Sequence, residues 1–70
     1  MKTAFAEYTR TLEARASFHI RKAGGSVANH ERNYPVAIAL CDVVGDFTGE
    51  HRCDVYDRLM HKMNTEKDAA

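Results

Sequence analysis

Charge of one sign, cysteine, proline and long apolar runs are all scarce in this chain, and each scarcity removes a class of protein. Ten basic residues are matched by ten acidic ones, so a uniformly basic nucleic-acid binder is not indicated. Two cysteines, Cys41 and Cys53, are too few for a disulfide scaffold. Lys2, Glu7, Arg10 and Glu13 interrupt any apolar leader, which predicts a cytoplasmic protein with reduced thiols. No run approaches the roughly 18 to 20 apolar residues of a membrane span. There is no internal repeat and no low-complexity segment. What remains is 70 residues, 44% hydrophobic and 29% charged. That is the make-up of one folded globular domain over 1–70, not of a disordered chain.

The strongest positive signal is Pro35–Phe47, PVAIALCDVVGDF. It is apolar on nearly every side of a helix, and a chain of this length has little else with which to cover it. A protein partner or a second copy is therefore expected. Charge is also unevenly placed. Through Asn33 six basic residues face three acidic ones; from Tyr34 onward four basic residues face seven acidic ones. The halves are complementary, within one chain or between copies.

Three helical patterns follow. Phe5, Tyr8, Leu12, Ala16 and Ile20 recur at helical spacing and predict a long first helix from about Thr3 to Lys22, stopped by Gly24-Gly25 after a basic last turn. Phe18 lies off that stripe. Ser26 to Tyr34 reads as irregular, with at most a helical turn at Val27–Arg32. Asn33 before Tyr34-Pro35 then predicts a second, short buried helix starting near Pro35, because proline fits a first turn. Its core face is expected to hold Val36, Leu40, Val43, Val44 and Phe47, with Ile38 and Cys41 facing elsewhere. Gly45 and Gly49 bracket the next break. Thr48 is the expected cap of a medium third helix running to about Met63, with Cys53, Tyr56, Leu59, Met60 and Met63 inward and an Asp54–Arg58 pair outside. Residues 64–70 read as a frayed polar tail. The fold class is all-α, a small three-helix bundle.

No motif carries chemistry. His19, His30, His51 and His61 lack the paired spacing of a structural metal site, and His51 and Cys53, two apart, fall on opposite sides of a helix. No cofactor is implied. Cys53, Asp57 and His61 line up along one helix, but Cys53 and His61 are separated by about 12 Å of helical rise, too far for a nucleophile and its base. Gly24-Gly25-Ser26 lacks the pattern of a phosphate-binding loop.

Two segments resemble the theta subunit of bacterial DNA polymerase III. Val27-Ala28-Asn29-His30-Glu31-Arg32-Asn33-Tyr34-Pro35-Val36 is similar to that family's VAxxER…N.PV joint before its second helix, one residue shorter between Arg and Pro. Glu50-His51-Arg52-Cys53-Asp54-Val55-Tyr56-Asp57-Arg58-Leu59-Met60 resembles the family's third helix, which opens with Glu-His and carries an acidic-Arg-Leu triplet. The match requires a residue dropped after His51 and a few extra between 43 and 49, and it covers about half of the chain. The resemblance implies a three-helix protein without enzymatic activity that binds and stabilises the proofreading exonuclease subunit of the polymerase core.

The residues thus predict a non-catalytic helical interaction protein. Val36, Leu40, Val44, Phe47 and Tyr56 are assigned to its own core, leaving Phe18, Tyr34, Ile38 and Cys41 for the partner; taken alone, Cys41 reads as a small buried hydrophobe. The alternatives are a dimerising regulator or inhibitor of phage or plasmid type, and a helix-turn-helix protein using the helix pair around Gly45. The would-be recognition helix, starting Glu50-His51-Arg52-Cys53-Asp54, carries more acid than base, which argues against DNA.

Overall fold

The computed structural model describes the backbone of residues 2–69 and the side chains of residues 6–65. It is all-α, with three helices: α1 (Lys2–Ala23), α2 (Val27–Thr48) and α3 (Arg52–Ala69). The two connections are three residues each, short enough to force antiparallel neighbours. α2 is the middle element and packs against both others.

α1 forms as its periodicity predicts. Leu12, Ala16, Ile20 and Ala23 face inward, spaced one helical turn apart. Tyr8, expected on the same stripe, lies at its edge and is exposed; the Phe5 side chain lies outside the described residues. Gly24 N–H bonds the Arg21 carbonyl at 3.3 Å, and Gly25 takes a left-handed φ of 97°, which favours glycine. The chain turns there as expected.

α2 begins eight residues earlier than Pro35. Ser26 is the cap: its hydroxyl accepts the Asn29 N–H at 3.1 Å and its carbonyl accepts the His30 N–H at 3.0 Å, satisfying two donors of the first turns. Pro35 therefore lies inside the helix, where it withholds an N–H from the Glu31 carbonyl. Both residues are exposed, so this stretch of the helix faces solvent. Asn33 is not a cap. Its amide Nδ2 donates to the Asn29 carbonyl at 2.9 Å, and its Oδ1 lies 3.1 Å from His19 Nδ1, tying α2 to α1.

Gly45 does not break α2; it is buried within it. The helix ends at Gly49, φ 82°, whose N–H bonds the Gly45 carbonyl at 2.8 Å. A Cβ on Gly45 would overlap the Glu50 carbonyl oxygen. Its lack of a side chain lets the chain fold back over α2 and start α3. His51, not Thr48, caps α3: its Nδ1 accepts the Cys53 N–H at 3.1 Å, which fixes that nitrogen as an acceptor. Its carbonyl accepts from Asp54 and Val55 at 2.9 and 3.1 Å. α3 continues past the expected end at Met63 to Ala69.

The core is small in number and in side-chain size. It consists of Ala16, Ile20, Ala37, Cys41, Val44, Val55 and Leu59, edged by Leu12, Leu40, Tyr56 and Met63. On α3 the inward line is Val55 and Leu59, whereas Cys53 and Met60 are exposed. On α2 it is Ala37, Cys41, Val44 and Gly45. Of the expected face Val44 is buried and Leu40 packs at the core's edge, whereas Val36, Val43 and Phe47 are not buried, so the buried face is rotated from the expected one. The reason is steric. A helix squeezed between two others presents its smallest side chains to both, because interaxial distance is set by what stands at the contact.

Arg58 of α3 ties the α2–α3 connection and α1 together. It bonds Glu50 through two nitrogens at 3.0 and 3.1 Å and Glu13 of α1 at 2.7 Å. The expected Asp54–Arg58 pair is superseded, since the bidentate fork meets Glu50 in better geometry. The bond from Arg58, with a second from Thr48, holds the Glu50 carboxyl below its usual value of 4.5.

Candidate protein-interaction surface

The rotation of α2 leaves Val36, Val43 and Phe47 outside the core. Val36, Leu40, Val43 and Phe47 recur at steps of four, three and four residues along one side. Val36 is 41% exposed and Val43 and Phe47 are each 38% exposed; Leu40 is half-buried. α1 runs antiparallel beside them and extends the patch. Tyr8, 53% exposed, meets Phe47 edge to face with ring centres 5.6 Å apart. Phe18, 51% exposed, lies toward the opposite end.

Between them runs a groove of about 580 Å³ lined by Thr11, Ala14, Arg15, Phe18, His19, Val36 and Leu40. Its polar flank is cationic. Lys22 Nζ sits 5.5 Å from the centre of the Phe18 ring, a cation–π distance, and Phe18 also meets His19 edge to face. Exposed apolar surface in a contiguous row, rimmed by charge, is the physical signature of a docking site.

The side chains expected to face a partner do not share one surface. Phe18 belongs to the α1–α2 groove. Tyr34 and Ile38 line a smaller cleft of about 210 Å³ between α2 and α3, with Cys53, Tyr56 and Asp57. Tyr34 there stacks on His30 at 4.9 Å and tilts against Tyr56 at 5.5 Å. Cys41 is fully buried and cannot reach a partner. Burial, the leading cause, pushes its thiol up to about 11. Its reading as a small core hydrophobe holds; its reading as a contact residue is corrected. Val36, Val43 and Phe47, assigned by sequence to the core face, are the exposed row.

Among the described residues no three His, Cys, Asp or Glu side chains are grouped to hold a metal, and no helix is long and apolar enough to cross a membrane. The two segments that resemble the theta subunit fall on helices. Residues 27–36 form the first part of α2 rather than a joint ahead of it, and residues 50–60 lead into and open α3. No protein-family model, curated protein or solved structure matches the chain.

Proposed function

We propose that this chain is a non-catalytic interaction protein that docks another protein surface on the α1–α2 face. The observation that carries the reading is the exposed row Val36, Val43 and Phe47 beside the aromatic ends Tyr8 and Phe18. Val36, Val43 and Phe47 stay partly exposed to water while α2 gives Ala37, Cys41, Val44 and Gly45 to the core, and they gain free energy when something covers them. The theta-like segments give the partner its most concrete form, the proofreading exonuclease subunit of a DNA polymerase.

Titration calorimetry with that purified subunit tests the reading. Wild-type protein binds, and Val43→Asp, which places a charge on an exposed position, loses binding while keeping its helical content and melting temperature. Absence of heat with the exonuclease removes the theta-like role. Undiminished binding by Val43→Asp removes the α1–α2 face from the account.

A further inference from the structure

The charge pattern of the exposed α2 face names its occupant. Arg32, Val36, Ala39, Val43 and Asp46 fall in a sector of about 80° on α2, at 3.6 residues per turn. Arg32 stands seven residues before Ala39 and Asp46 seven residues after it; both are exposed, and neither forms an ion pair among the described residues. Each is about 10 Å of helical rise from Ala39. The apolar pair Val36 and Val43 stands three residues before Ala39 and four after it, one residue away from the same symmetry. The arrangement is self-complementary under one operation, a two-fold axis across the helix at Ala39. A second α2 laid antiparallel over the first brings Arg32 to Asp46 at both ends and valine to valine between them. A parallel copy would set arginine on arginine and aspartate on aspartate.

We propose that the α1–α2 face is closed by a second copy of this chain, with the two α2 helices antiparallel about a two-fold axis near Ala39. The inference rests on the reading of this face as a docking surface and makes a second copy its occupant in the free protein, one that an exonuclease bound to the same face would displace. Ala39 at the crossing permits close approach of the two backbones, because a methyl group separates them. The balance of charge at the ends of the helix pair agrees: Arg21, Lys22 and Arg32 outnumber Glu31 at one end, and Glu7 and Asp46 outnumber Arg10 at the other, so a reversed copy opposes unlike ends. The area is sufficient. A face about 33 Å long and about 18 Å, two helices, wide removes on the order of 600 Å² per copy, about 1,200 Å² in total, the lower edge of stable interfaces. Zero net charge adds no repulsion between copies.

Sedimentation equilibrium on the full chain tests the proposal. Wild type sediments at twice 7.9 kDa. Arg32→Asp alone and Asp46→Arg alone each weaken self-association at least about tenfold, since each puts like charges at both symmetric contacts. The double variant R32D/D46R restores it, because the antiparallel pairs are regained with sign reversed. Circular dichroism confirms that each variant stays helical. A wild-type monomer at about 100 μM, where a micromolar interface would be filled, overturns the proposal. So does a dimer that ignores the single exchanges or is not rescued by the double one. A monomer whose exonuclease binding is lost in Val43→Asp overturns the second copy and leaves the docking function standing. Indifference of both self-association and exonuclease binding to Val43→Asp overturns both.

Discussion

Replacing Gly45 with alanine sets two physical effects against each other at one atom. Helix propensity favours alanine by about 1 kcal/mol in a helix interior. The added Cβ, however, lands on the Glu50 carbonyl oxygen, with the Glu50 carbonyl carbon and the Arg52 nitrogen next nearest at 3.4 and 3.8 Å. These are backbone atoms, so no rotamer change relieves the overlap. The α2–α3 connection has to move outward. That movement also displaces the carboxylate that Arg58 grips at 3.0 and 3.1 Å. Overpacking of this kind costs about 1 to 3 kcal/mol, and disturbing the exposed pair adds at most about 1 kcal/mol. The net expectation is a loss of up to about 3 kcal/mol, centred near about 1.5 kcal/mol, a fall in melting temperature of roughly 6 to 12 °C at that centre for a domain of this size. Thermal melts by circular dichroism, at equal protein concentration, read the difference. A Gly45→Ala protein that melts at or above wild type would show propensity winning, and the close approach of Glu50 to α2 would be refuted.

Three further outcomes follow from the same geometry. Pro35→Ala restores an N–H to the Glu31 carbonyl; with the interior proline penalty about 3 kcal/mol softened by hydration and by unfolded-state entropy, the variant gains about 1 to 2 kcal/mol in denaturant unfolding, and a loss would contradict a continuous α2 through Pro35. Arg58→Ala costs about 1 kcal/mol at neutral pH. Because the folded-state Glu50 value is lowered, its contribution is present above the ordinary 4.5 and lost as pH falls through the folded value. The wild-type advantage over Arg58→Ala therefore shrinks below pH 4.5, and an advantage that grows with acid would refute the pairing. Of the two thiols, exposed Cys53 reacts with an aromatic disulfide reagent in the native protein and buried Cys41 only on unfolding; two fast thiols would contradict the core.

The number and kind of elements were legible in the sequence, because apolar spacing and glycine stops act locally. α1 was bounded within a residue at each end for that reason. The start of α2 was not, since Pro35 was read as a first-turn residue. Ser26, followed three residues later by Asn29, is the cap the chain uses, and a proline nine positions after it does not end the helix on this exposed stretch. The face of α2 was misassigned because two apolar lines run along it. Val36-Leu40-Val43-Phe47 has the greater hydrophobicity, but Ala37-Cys41-Val44-Gly45 has the smaller volume, and packing between two helices selects volume. A line of small residues ending in a glycine was the available signal. Arg58 was paired with Asp54 because i,i+4 neighbours are visible in sequence, whereas Glu13 and Glu50 come near only through the fold. The partner set of Phe18, Tyr34, Ile38 and Cys41 failed as one surface for the same reason, since it was chosen by exclusion from the wrong core face.

The most direct measurement is a dilution series of amide nuclear magnetic resonance spectra on uniformly labelled wild-type protein. The account predicts concentration-dependent shifts at Val36, Ala39, Val43 and Phe47, with Tyr34, Ile38 and Tyr56 in the α2–α3 cleft unmoved. Shifts confined to that cleft, or a spectrum indifferent to dilution with the line widths of a single 7.9 kDa chain, would contradict it.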